Sequence, residues 1–221
     1  MLPEARHCFF AHVITNDVNV TLQLSRDGAS EYFSCNHEEM STMMVLHALR
    51  EETLIVVVSQ DTDVFVFLVY ACAKYKPTLP WFIKTDSERY VKIQEVINHF
   101  GEALCLKLPR IHCLTGCDTT SYPFGVGKVK VLKKLVSVKD ALSLLEGLGD
   151  SETVSQDLER SIKTFVQLIC YSGVKDESYV DTRVRMYQKM KVKSSMSLPA
   201  DPESLTYSTC QFSTIGMASV R

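Results

Sequence analysis

The hydrophobic pattern of the chain changes period several times, and these changes predict alternating strands and helices. Residues 54–58 form an uninterrupted, mostly β-branched apolar run, which is typical of a strand buried on both faces. Residues 63–73 are apolar nearly all round and predict a buried helix or a short strand, and 81–85 predict another strand. Helical periodicity appears over 38–49 and 92–100. This alternation predicts an α/β fold in which helices flank a parallel central sheet.

The second half of the chain is predicted to be mainly helical. Gly101 is a plausible C-cap for the preceding helix, and we expect the short apolar stretch 103–108 to stop at Pro109. Further on, residues 128–135 form an amphipathic and strongly basic pattern that predicts a helix. Two more helices are expected over 137–148 and 154–171.

These patterns divide the chain into four expected parts. Short alternating runs in residues 1–35 predict an N-terminal β-hairpin, which we interpret as the remnant of a truncated core. Residues 36–150 are expected to form the α/β core with its basic helical unit, and 151–190 a C-terminal helical extension. In residues 191–221 the periodicity fades, so we expect a mobile tail there.

Composition restricts the classes of protein that this chain can represent. The chain has 221 residues, of which 46% are hydrophobic, so it is long and apolar enough to form a sizeable core. Its formal net charge of -2 neither favours nor excludes nucleic acid, and a binding surface would have to come from local clustering. No stretch has the length of a membrane-spanning helix, so we expect no membrane partner.

The eight cysteines are scattered singly, unlike the dense framework of a small secreted protein. We therefore expect reduced thiols and an intracellular location. A nuclear address has only the short basic cluster 189–193 in its favour. Cys113 and Cys117 have C-x-x-x-C spacing beside His112, but no second ligand pair with zinc-site spacing stands nearby, so packed thiols are expected.

Two aspartates stand at the end of the first predicted core strand. In open α/β sheets, ligands bind beyond the carboxyl ends of the parallel strands, and Asp61 and Asp63 occupy such a position. The alternative is that Asp61 caps the following helix, with help from Ser59. Glu38, Glu39 and Asp118 are the other acids that we predict to converge there. Such a cluster of carboxylates would bind one or two Mg²⁺ or Mn²⁺ ions.

A glycine turn precedes the basic helix and predicts a contact with phosphate. Glycines allow backbone amides to approach an anion, and the start of a helix adds a favourable potential. From Lys107 to Lys139 there are seven basic residues against one acidic residue. The alternative is a solvated helix face. The predicted phosphate-binding residues are Gly125, Gly127, Lys128, Lys130, Lys133 and Lys134.

Together, in this order, the motifs resemble those of a known nuclease family. The chain carries Glu38-Glu39 on a predicted helix, then a strand ending in Ser59-Gln-Asp-Thr-Asp, and then Thr115-Gly-Cys-Asp followed by Phe124-Gly-Val-Gly-Lys. This resembles the PIN-like nucleases of the flap-endonuclease and XPG type. Its greatest similarity is to uncharacterised, transposon-associated animal proteins with HEEADTR, DTDV and LTGCDTTS motifs. The resemblance covers roughly residues 35–136.

The resemblance implies a metal-dependent phosphodiesterase that acts on nucleic acid, DNA rather than RNA. It implies catalytic and metal-binding roles for Glu39, Asp61, Asp63 and Asp118. It also implies that the glycine turn and the helix after it bind the nucleic-acid backbone. Two departures point to an incomplete acidic centre. Ser41 stands where relatives have an acid, and their first-strand aspartate is expected to lie N-terminal to Met1. Glu38 is the residue that would partly replace the missing acid.

We therefore expect a nuclease-like domain with weak or no activity. The alternatives are a non-catalytic module that binds nucleic acid or protein, and an inert transposon-derived fragment. The sequence does not determine the oligomeric state.

Overall fold

The structure is a computed structural model, and it describes most of the chain between residues 7 and 190. The described ranges are 7–15, 18–25, 30–35, 40–50, 54–85, 89–117, 126–138, 140–151, 153–171 and 177–190.

Two three-stranded sheets are present in the described residues. The first sheet is antiparallel throughout, in the order β1-β2-β3, and lies where the sequence predicts hairpin-like strands. The second sheet has the order β4-β5-β6. The strands are β1 His7–Thr15, β2 Val18–Ser25, β3 Ser30–Cys35, β4 Ile55–Val58, β5 Trp81–Lys84 and β6 Tyr90–Lys92.

The second sheet is mixed rather than wholly parallel. Strands β4 and β5 run parallel, with Ile55 opposite Trp81 and Val58 opposite Lys84. Strand β6 pairs with β5 in the antiparallel direction. The predicted α/β class is confirmed, but within the described residues the parallel arrangement is limited to one pair of strands.

Helices make up most of the remaining described structure. A 3₁₀ turn at Ala141–Leu145 follows the basic helix, and a π-helical turn at Val166–Cys170 extends the sixth helix. The helices are α1 Met40–Arg50, α2 Thr62–Tyr75, α3 Ile93–Phe100, α4 Glu102–Leu114, α5 Lys128–Ser137, α6 Gln156–Phe165 and α7 Tyr179–Met190.

Helix α2 is the most deeply buried element of the α/β part. The sequence allowed a helix or a short strand here, and the structure shows a helix of 14 residues that is apolar nearly all round. Leu68 and Val69 are completely buried, as expected for a helix enclosed on most of its surface. Among the described helices, none has the length and apolar character that crossing a bilayer would require.

Helix α4 corrects the expectation that Pro109 ends an element. The helix begins at Glu102 and continues through Pro109 to Leu114. A proline inside a helix removes one backbone hydrogen bond and normally kinks or breaks it. Here Pro109 and the three residues after it are buried, so tertiary packing outweighs the local penalty.

Two apolar clusters share α4. The first cluster joins the second sheet to α1, α2 and α3, and it includes Cys105 of α4. The second cluster joins α5, the 3₁₀ turn, α6 and the π-helical turn, and it includes Leu104 and Ile111 of α4. Leu108 packs against both clusters. The helix is therefore apolar towards both sides.

The helical predictions beyond α4 are confirmed in part. The basic helix and the helix predicted over 154–171 are present as α5 and as α6 with its π-helical turn. The continuous helix expected over 137–148 is wrong, because the structure shows the 3₁₀ turn and further turns instead. Leu145 and Leu148 are fully buried there, so their apolar spacing reflects core packing rather than a long helix.

Gly101 provides a test of the junction between α3 and α4. Its φ of 84° lies in the region that favours glycine, and its N–H bonds to the carbonyl of Ile97 at 2.8 Å. We expect Gly101→Ala to lower the free energy of unfolding by about 1–2 kcal/mol, measured by urea denaturation, because alanine is strained at this φ.

Gly127→Ala is the matched control for this substitution. In both positions a new Cβ meets nothing within 4 Å, but the φ of Gly127 is -83°. Both glycines are N-caps, of α4 and of α5, so the lower N-cap preference of alanine is common to the two substitutions, and we expect the loss at Gly127 to be smaller than at Gly101 by about 1 kcal/mol. Equal losses at the two positions would contradict the strain argument.

Candidate functional site

Asp61 is the N-cap of α2. Its backbone is extended, with φ -74° and ψ 128°, and its side chain accepts a hydrogen bond from the N–H of Asp63 at 2.8 Å. The N–H of Asp61 in turn donates to the hydroxyl of Ser59 at 3.1 Å. The helix-cap alternative is therefore confirmed for Asp61. The carboxylate is exposed, and one of its oxygens has this local role.

Asp63 is bound to a histidine that lies far away in the sequence. Its Oδ1 lies 2.6 Å from Nε2 of His112, which belongs to the last turn of α4. Since an ionised carboxylate only accepts hydrogen bonds, the imidazole nitrogen is the donor. The side chain of His112 is 5% exposed and that of Asp63 is 25% exposed. This contact connects the start of α2 to the end of α4.

The second ring nitrogen of His112 is buried as well. Its Nδ1 has no hydrogen-bond partner among the described residues. A buried polar atom without a partner is uncommon in folded proteins. His112 therefore has one ring nitrogen bonded to Asp63 and a second, buried nitrogen to which the described residues offer no partner.

The antiparallel packing of α2 and α4 determines which residues meet at this end. At the opposite end of the same two helices, Lys76 forms an ion pair with Glu102 at 3.0 Å. Cys105 and His112 are seven residues apart, so they lie on the same side of α4, the side that faces α2. The end of α4 consequently lies beside the aspartates that follow β4.

The start of α5 is attached to the same end of α4. Nζ of Lys128 donates to the carbonyl of Gly116 at 2.5 Å. An open pocket of about 410 Å³ lies between the two segments. The first turn of α5 has no side-chain cap, since Gly127 occupies the N-cap position. The pocket is lined by Thr115, Gly116, Val126, Gly127, Lys128 and Val129.

The basic residues of this region have different partners. Lys107 and Arg110 of α4 form ion pairs with Glu146 at 2.6 Å and Asp150 at 2.9 Å. Burial, together with the nearby charge of Lys130, lowers the pKa of Lys134. Among the predicted phosphate-binding lysines, Lys130 and Lys133 are the exposed ones. They lie three residues apart, and therefore on one face of α5.

Several predicted site residues lie outside the described residues. These are Glu38, Glu39, Asp118 and Gly125. Among the residues that the structure describes, no group of three or more His, Cys, Asp or Glu side chains is arranged to hold a metal ion. Asp61 and Asp63 are thus the two predicted ligands whose positions are known, and each already has a protein partner.

Sequence reasoning did not find the role of His112. The sequence pattern indicates His112 only as a neighbour of Cys113 and Cys117, whose sulfurs lie 4.0 Å apart as packed thiols. The pair with Asp63 spans 49 residues, and it depends on α4 continuing past Pro109. Cys105 and His112 are seven residues apart, and this helical spacing is the signal in the sequence that could have placed both on one side of a helix.

Comparisons of the chain with protein-family models, curated proteins and solved structures give no significant match. The resemblance to PIN-like nucleases stays a prediction that rests on the motif residues.

A double-mutant cycle tests the Asp63–His112 contact. We expect Asp63→Ala and His112→Ala to couple by about 1 kcal/mol or more in the free energy of unfolding, because the hydrogen bond involves a charged acceptor and a buried ring. The measurement is urea denaturation of the two single variants and the double variant.

The control cycle uses Lys76→Ala and Glu102→Ala at the other end of the same helices. The side chain of Lys76 is 67% exposed and that of Glu102 is 49% exposed, so we expect a coupling of about 0–0.5 kcal/mol. A coupling between Asp63 and His112 that is no larger than in this control would contradict the proposed importance of the contact.

Proposed function

We propose that this chain is a nucleic-acid-binding domain of the PIN and flap-endonuclease type, whose acidic centre is incomplete and whose phosphodiesterase activity is weak or lost. The observation that carries the proposal is the convergence of two predicted sites on one end of α4. His112 contacts Asp63 and Gly116 contacts Lys128, and these two residues of the α4 end are four positions apart.

The strand arrangement supports the PIN-like part of the proposal. Strands β4 and β5 are parallel, so their carboxyl ends lie at the same edge of the sheet. The N–H of Ser59 bonds to the carbonyl of Lys84 at 3.1 Å and extends this pairing towards Asp61. Ligands bind at such edges in open α/β sheets. The position of Asp61 and Asp63 beyond the end of β4 supports a ligand-binding role for them.

Binding of nucleic acid would involve the start and the exposed face of α5. Among the described residues no side chain caps the first turn of α5, and the N–H groups of this turn, with the positive helix end, favour an anion such as a backbone phosphate. Lys130 and Lys133 extend the positive charge along one face of the helix. These groups would contact phosphates rather than base edges. We therefore expect binding that does not depend on the base sequence and that is weakened by salt.

A divalent metal would require the predicted acids to act together. Mg²⁺ or Mn²⁺ would be held by Asp61 and Asp63 with Glu38, Glu39 and Asp118, and it would supply activation of water and charge neutralisation at the phosphate. Asp61 and Asp63 each have one oxygen bonded to a described residue, and the second oxygen of each carboxylate would be the ligand atom for the metal. Ser41 supplies no acid in this set.

A non-catalytic binding module is the second candidate function. It is favoured by the contacts of the aspartates, since the cap at Asp61 and the bond from His112 to Asp63 give both residues structural roles that need no metal. In that case the positive face of α5 would keep its binding role without hydrolysis.

Manganese titration with thermal melting separates the two candidates. If the acids hold a metal, we expect Mn²⁺ at about 100 times its Kd to raise the melting temperature by about 5–10 °C. Asp61→Asn with Asp63→Asn should abolish this shift, because asparagine can still cap α2 but lacks the charge. Asp140→Asn with Asp157→Asn, two exposed acids elsewhere, should leave it unchanged.

A melting temperature that does not respond to Mn²⁺ in the unsubstituted chain would favour the non-catalytic module. Cleavage of flap, hairpin and single-stranded DNA is then measured with the same variants. Metal-dependent cleavage above the level of the Asp61 and Asp63 double variant would instead establish the enzyme.

The salt dependence of DNA binding tests the face of α5. For duplex DNA, each phosphate contact contributes about -0.9 to the slope of log K against log salt concentration. Lys130→Gln with Lys133→Gln should reduce the steepness by up to about 1.8, measured by fluorescence anisotropy over a salt series.

Lys76→Gln with Arg160→Gln removes the same charge from two other exposed positions. We expect its slope to match that of the unsubstituted chain. If both pairs of substitutions weaken binding equally, the attraction comes from net charge and not from α5.

A further inference from the structure

Two partly exposed thiols face each other where α4 ends. Cys113 lies in the last turn of the helix, and Cys117 lies three residues beyond its last residue, Leu114. Their sulfur atoms are 4.0 Å apart. Both side chains are partly exposed, so a small oxidant can reach them.

The backbone between the two residues is a turn and lacks the fixed spacing of a regular helix. Residues four apart within a regular helix keep their Cβ atoms about 5–6 Å apart, which is too far for a relaxed disulfide. Cys117 is not in the helix, because the chain leaves it at Thr115 and turns at Gly116, whose φ is 96°. The N–H of Gly116 bonds to the carbonyl of Cys113 at 3.2 Å and folds the chain back. The turn thus brings Cys117 towards Cys113.

The other thiols with described side chains have the opposite environment. Burial raises the pKa of Cys72 and of Cys105 to about 11, and that of Cys170 to about 12. All three are buried. Since the thiolate is the reactive form, these thiols are protected from oxidants. They serve as internal controls for the exposed pair.

We propose that Cys113 and Cys117 are an oxidation-sensitive thiol pair that closes a reversible disulfide on reaction with hydrogen peroxide. One thiolate attacks the peroxide, so that an S–O bond forms, the O–O bond breaks and water leaves after proton transfer. The second thiol then attacks the sulfenic sulfur, forming the S–S bond and releasing a second water. Two thiols lose two electrons and two protons, and the peroxide is reduced to water.

The disulfide would alter the contact between α4 and α5. It would draw the sulfurs from 4.0 Å to about 2.05 Å and tighten the turn that contains Gly116. The carbonyl of Gly116 accepts the hydrogen bond from Lys128. An effect of oxidation on nucleic-acid binding would rest on the proposed function, whereas formation of the disulfide requires neither nucleic acid nor metal.

Peptide mass spectrometry of the full chain tests the pair. The folded chain is treated with hydrogen peroxide, quenched, alkylated under denaturing conditions and digested with trypsin. Cleavage after Arg110 and Lys128 gives the peptide Ile111–Lys128, which contains Cys113 and Cys117 and no other cysteine. We expect this peptide to become lighter by two hydrogen atoms and to resist alkylation. The rate of this change should be at least about tenfold higher than the rate at which Cys72, Cys105 or Cys170 loses its free thiol. Dithiothreitol should restore both alkylation sites.

Cys113→Ser and Cys117→Ser are the matched controls, and each should prevent the reducible loss of mass in this peptide. The proposal is overturned if the peptide keeps two free thiols after peroxide treatment, or if its thiols react no faster than the buried ones. It is also overturned if the two sulfurs are oxidised only to separate oxygen adducts. Circular dichroism of both variants establishes that they remain folded.

Discussion

The burial of α4 on two sides is the constraint on which the rest of the structure depends. One side of the helix carries Cys105 and His112 towards α2, and another carries Leu104 and Ile111 towards the cluster formed by α5 and α6. Apolar burial of this kind is the dominant favourable contribution to folding. It keeps α4 helical through Pro109, and it positions the end of the helix between the aspartates and the basic helix.

This position explains why chemically different residues meet at one place. Asp63, which follows a strand, contacts His112 in the last turn of α4, and Lys128 at the start of the basic helix contacts Gly116, two residues beyond that turn. The ligand that we propose, a phosphate backbone with a bound cation, likewise carries both signs of charge. The same proximity places Cys113 and Cys117 where their oxidation would act on the contact with Lys128.

Local pattern was sufficient where the physical signal was local. The β-branched run before Ser59 forms β4, the apolar residues after Asp61 form α2, and Gly101 ends α3 as its freedom of φ allows. The cap at Asp61 was also foreseen as an alternative, because a capping aspartate acts within two residues of itself. Such features need no knowledge of the rest of the chain.

The sequence by itself determined the α/β class, the parallel pair of strands, the basic helix and the position of two acids at a strand end. Only the tertiary structure decided that α4 passes through Pro109, that residues 137–148 form turns around Leu145 and Leu148, and that His112 binds Asp63. The reason is physical. Propensities and caps act over a few residues, whereas packing between clusters and a contact across 49 residues depend on the whole arrangement of the chain.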